Sequence, residues 1–127
     1  MAPKGEIKGT WNSGNREIKV HLPFIIFEQD KVHVVYCPAL DVSGYGNNEE
    51  EAFESFKINL GEFLLYTNNK GTFISELKRM GWIVRSGKYK PMVPPSMSKL
   101  LEDNDNFSKI FNNYPFRKID HSVKLPA

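Results

Sequence analysis

The sequence predicts an α+β protein, an antiparallel sheet packed on one main helix, and three observations carry that expectation. Apolar and polar residues alternate with period two from Glu17 to Leu22 and short apolar runs follow as far as Tyr45, and one long segment after Asn48 repeats apolar residues at three- and four-residue steps. Clusters of Gly, Asn, Asp and Pro separate these segments at short intervals. The 127 residues, 40% apolar and 13% aromatic, suit one domain spanning 1–127 and exclude a multidomain enzyme. A formal charge of +2 places any basic surface locally rather than over the whole molecule. The single cysteine, Cys37, excludes an internal disulfide framework and fits a reducing compartment. No apolar run approaches the roughly 18 residues of a membrane span, so the expectation is a cytoplasmic protein without membrane contact.

Each element has a local reason. Glu6 to Trp11 has mild strand character and ends at Asn12-Ser13-Gly14-Asn15, residues that tolerate tight turns. Ile18, Val20 and Leu22 alternate with Glu17, Lys19 and His21, the pattern of a strand with one buried face, and Pro23 is expected to end or bulge it or hold it at an edge. Phe24 to Glu28 and Lys31 to Cys37 read as an antiparallel hairpin around Gln29-Asp30, and Leu40 to Tyr45 as a further strand. Asn48 can cap a helix, with Glu51 placed as in a capping box and Glu49 and Glu50 suited to the positive end of its dipole. Ala52, Phe53, Phe56, Leu60, Phe63 and Leu64 form its apolar stripe, and Asn68, Asn69 and Gly71 end it. Thr72 to Met80 reads as a second helix stopped by Gly81. Gly81 to Arg85 looks like a short strand returning to the sheet, and Ser86 to Ser96 like a connector broken by three prolines. Two short helices follow, one capped by Ser96 or Ser98, the other holding Phe107, Ile110 and Phe111; a last strand is expected near Arg117 to Lys124.

No assembled chemical site emerges. Cys37 has no histidine near it in sequence to make thiolate, so a buried core cysteine is the simpler reading. His21 and His33 lie on neighbouring expected strands, but two imidazoles are half a zinc site; neither a metal nor any other cofactor is implied. Gly44-Tyr45-Gly46 lacks the spacing of a phosphate loop and reads as a strand-to-helix turn. Two charged features remain. Glu49, Glu50 and Glu54 form an acidic helix start that suits a basic protein partner, although acids favour helix N-termini for dipole reasons alone. Lys78, Arg79, Arg85, Lys88 and Lys90 occur in an acid-free stretch interleaved with Trp82 and Tyr89, a composition that can neutralise phosphates and stack on a base.

Phe24 to Leu65 resembles the HicB-like antitoxin domain of bacterial toxin–antitoxin pairs. The resemblance rests on the apolar strand before Glu28-Gln29-Asp30, the Tyr36-Cys37-Pro38-Ala39-Leu40 turn, Gly46 before the helix, and Glu50-Glu51-Ala52 opening it. It implies a βββαβ fold related to double-stranded-RNA-binding domains, with a HicB-like core over 16–85 and a short helical and strand C-terminal extension over 86–127. It also implies a non-catalytic protein that binds and blocks a small toxin ribonuclease. Members of that family usually add a DNA-binding segment; the Pro-rich stretch and short helices after Arg85 hold no recognition helix, which speaks against DNA binding. Residues 73–90 also faintly resemble the partner toxin family, but Ser86-Gly87-Lys88 stands where that family's catalytic Gly-Ser-His turn is expected, so ribonuclease activity is not implied. The sequence therefore predicts a protein-binding module, with RNA binding through Lys78 to Lys90 as the alternative. Exposed sheet edges lead to the further expectation of a homodimer.

Overall fold

A computed structural model describes residues 6–7, 17–84 and 92–126. It is an α+β structure built on one main sheet. The strands of that sheet are β1 (Glu6–Ile7), β2 (Glu17–Gln29), β3 (Val32–Cys37), β4 (Val42–Gly46) and β7 (Phe116–Pro126), and they lie in the order β1-β7-β2-β3-β4. β7, β2, β3 and β4 each run antiparallel to their neighbour in that order, and β1 joins β7 in parallel at one edge. Between β4 and β7 the chain forms α1 (Glu49–Lys70), α2 (Phe73–Arg79), a two-stranded ribbon of β5 (Ile83–Val84) and β6 (Met92–Val93), α3 (Met97–Asp103) and α4 (Asp105–Asn113).

The β2–β3 hairpin closes through Asp30 and Lys31, both at positive φ (52° and 69°). Two such residues make the turn whose twist matches that of its strands. β2 is one continuous strand, where the sequence suggested an interruption at Pro23. The Tyr45 amide donates to Ser55 Oγ, so the odd residues of β4 turn their backbone away from β3. Carried through the paired registers, this alternation turns the odd residues of β2 towards β3. Pro23 lies beyond the last β3 pairing, Ile25 with Tyr36, so its missing N–H removes no ladder bond.

The sheet is covered on both faces. On one, Phe24 meets Phe53 and Phe56 of α1, with Leu22, Val35, Val123 and Leu125 buried nearby. On the other, Phe27 packs on Tyr114 at the end of α4, and Ile25, Val34 and Tyr36 are buried beneath. The capping of α1 follows the sequence: Asn48 Oδ1 accepts from Glu51 N (2.8 Å) and Glu51 Oε1 accepts from Asn47 N (2.9 Å). Gly71, at φ 69°, ends the helix in the left-handed conformation.

Two expectations are corrected. The strand expected over Gly81 to Arg85 does not return to the main sheet within its described residues: Ile83–Val84 pairs with Met92–Val93 in the separate ribbon, so part of the proline-broken connector is itself a strand, and Arg85 lies outside the described residues. The strand that follows the helix into the main sheet is β7, paired with β2 over its whole length from Glu17↔Pro126 to Phe27↔Phe116. The terminal segment is thus an inner strand of the sheet. Of the expected strand Glu6 to Trp11, Glu6–Ile7 forms β1 and residues 8–11 lie outside the described residues.

Candidate interaction surfaces

α1 lies against the sheet at two unusual contacts. Gly44 and Gly46 of β4 face the helix: a Cβ on Gly44 would stand 2.2 Å from Phe56 N, and one on Gly46 would stand 2.5 Å from the Glu51 Cβ. The expected strand-to-helix turn is therefore a strand whose two glycines let helix and sheet backbones approach. The helix then reaches over the edge of β4, where Ser55 Oγ accepts from Tyr45 N (3.1 Å) and Asn59 Nδ2 donates to Ser43 O (2.8 Å). Backbone groups that an edge strand leaves open to a second chain are engaged by the protein's own helix.

At about 100° per residue, Ala52, Phe53, Phe56, Leu60, Leu64 and Thr67 share the buried arc of α1. The opposite arc carries Glu51, Glu54 and Glu62, all exposed, together with Ile58 (64% exposed), Leu65 (44%) and, at its margin, Tyr66 (62%), while Glu50, also exposed, stands between the two arcs. The three acids singled out from sequence are not equivalent. Glu49 forms an ion pair with Arg117 of β7, and Glu54 one with Lys57 (2.7 Å), whose hydrogen bond holds the Glu54 carboxyl below the usual carboxylate range. Glu50 is exposed and makes no described hydrogen bond or ion pair. Sequence reasoning missed Ile58, Leu65 and Tyr66; the readable signal was that these large apolar residues fall off the core stripe of the same helix.

The basic stretch is only partly described. Lys78 and Arg79 end α2, and Arg79 is tied to Glu76 (2.8 Å). Both line a cavity of about 560 Å³ between the Pro38–Asp41 turn, α2 and the α3–α4 junction. Lys99 also lines it, but so do Asp41, Asp103 and Asp105, which gives the wall both signs of charge. Trp82 is buried, its Nε1 donating to Ala39 O (2.7 Å), so it is a core residue and not a stacking platform. Arg85, Lys88, Tyr89 and Lys90 lie outside the described residues.

Asp41 and Asn104, which line that cavity, belong to a polar joint built on Tyr36. Tyr36 Oη donates to Asp41 Oδ1 (2.6 Å) and accepts from Asn104 Nδ2 (2.9 Å). Burial, then the bond to Asp41, pushes the phenol well above its ordinary range. Asn104 also caps α4, its Oδ1 accepting from Phe107 N (3.0 Å), while its backbone N–H donates to Leu100 O in the last turn of α3.

Cys37 is fully buried and its thiol is pushed up to about 12 by that burial, so it stays protonated and inert at neutral pH. His21 and His33 do not meet: His21 pairs with Ser122 on one sheet face, and His33 lies opposite Glu28 on the other. His121 sits between the rings of Phe24 (4.9 Å) and Phe53 (5.3 Å), where burial lowers its pKa. Among the described residues no cluster of three metal-ligating side chains forms, and no helix is long and apolar enough to cross a membrane. No protein family, curated protein or solved structure matches this chain.

Proposed function

We propose that the chain is a non-catalytic protein-interaction module of the HicB-like antitoxin kind, engaging a small partner protein that in that family is a toxin ribonuclease. The observation that carries this reading is the segment Phe24 to Leu65. Hairpin, proline turn, edge strand and Glu-Glu-x-Ala helix follow one another as a single packed unit, in the order the resemblance implies. The side chains most apt for chemistry support a non-catalytic reading, since the thiol is sealed in the core and two histidines occupy opposite sheet faces.

The test is a pull-down from a native lysate with the tagged chain, with and without nuclease, identifying proteins and nucleic acids separately. A small protein retained after nuclease treatment, and released when Glu50 and Glu54 are reversed to Lys, is the expected result. RNA recovered with no protein overturns the reading in favour of RNA binding through Lys78 to Lys90, where Lys78 is exposed at the rim of the mixed-charge cavity.

A further inference from the structure

We infer that the outer face of α1 is the docking surface for a cationic amphipathic segment of a partner protein, an inference that rests on the interaction-module reading above. Ile58 and Leu65, seven residues apart, stand in line on this face with Tyr66 beside them, and all three are exposed. Exposed apolar side chains on one line favour an apolar contact. Glu51, Glu54 and Glu62 flank that line, while Lys57, the cation nearest it in sequence, lies towards the buried side and is bound to Glu54.

Those acids decide which occupant fits. Phosphates of a nucleic acid and the headgroups of an anionic membrane are repelled. A second copy docking by the same face brings a second set of Glu51, Glu54 and Glu62 into the contact and no cations to meet them. A helix presenting Leu or Ile on one stripe with Lys or Arg beside it satisfies both halves of the surface, apolar to apolar and cation to carboxylate. The neighbouring β4 edge does not compete for the partner, because Ser55 and Asn59 already engage it.

The test uses the full chain and three fluorescent probes: an 18-residue amphipathic Leu/Lys peptide, the same peptide with Glu replacing Lys, and a single-stranded RNA 18-mer. Anisotropy titrations are run on the native chain, Ile58→Asp and Glu62→Lys; both side chains are exposed, and circular dichroism verifies that each variant folds. The expected result is salt-sensitive binding of the Leu/Lys peptide alone, weakened about tenfold or more by either substitution. Equal affinity in native and substituted chains, binding of the Glu peptide or the RNA in preference, or self-association abolished by Ile58→Asp overturns the inference. The two readings fail separately. A natural partner whose capture ignores Ile58→Asp removes this surface and leaves the module reading standing. Peptide binding at α1 by a chain that captures only RNA from lysate removes the module reading and leaves the surface.

Discussion

Gly44 and Gly71 are both glycines that the fold needs, for different reasons. Gly44 faces the backbone of α1, and an added methyl group would collide with Phe56 N and Ala52 O, which cannot swing aside. Gly71 has nothing within 4 Å of an added Cβ, and only its φ of 69° resists a side chain. Gly44→Ala is therefore expected to cost about 3 kcal/mol by forcing helix from sheet, and Gly71→Ala about 1 kcal/mol from left-handed strain. Urea unfolding of the two variants reads the difference, and equal costs would place the two glycines in the same class. His121 makes a pH prediction. Burial lowers its folded pKa below the ordinary 6.5, so the unfolded chain takes up the proton first. Its contribution is complete above about 6.5 and is lost as pH falls from there through the folded value. The midpoint of thermal unfolding should fall between pH 7 and 5, and His121→Phe should flatten that slope.

At the scale of elements, the β2–β3 hairpin carries a correctable strain. Lys31 occupies the second position of a turn that asks for positive φ at both central residues, a position glycine fills without cost to its side chain. Lys31→Gly should stabilise the protein by about 0.5–1 kcal/mol, measured as a shift in denaturant midpoint at constant slope. The hairpin, the capped α1 and its stripe were legible because their causes are local: alternation, an Asn cap, a glycine stop. β2 was read as two strands because proline's missing donor is a local fact, whereas the side of the strand that donor would face is settled by where β3 ends. Ile83–Val84 was placed in the main sheet for a similar reason. A two-residue strand carries no pattern that names its partner, and β7 occupies the inner position beside β2. Of the interaction surface, the acids at the helix start were visible. Their unequal roles were not, since Arg117 reaches Glu49 from 68 residues away and only the sheet brings it there.

For the whole molecule, the way its edges are managed governs association. Ser55 and Asn59 engage the outward backbone groups of β4 that the sequence left open to a second copy. Replacing both with Ala should leave the core intact and expose Tyr45 N and Ser43 O to pairing. Sedimentation velocity of the double variant is then expected to show concentration-dependent self-association beyond that of the native chain; an unchanged distribution would mean that edge pairing is opposed by something else. The protein also depends on one polar joint, since Asn104 ends α3, begins α4 and fastens both to Tyr36 beneath the Pro38–Asp41 turn.

The inner position of β7 sets the order in which the sheet can close. Residues 116–126 emerge from the ribosome after the other strands of the main sheet, yet they fill the place between β1 and β2 and pair with β2 from Glu17 to Phe27. During synthesis the nascent β2–β3–β4 meander and α1 can come together early, but the flank of β2 waits unpaired for β7. The interval before β7 arrives is when this sheet is most exposed to pairing with the wrong strand.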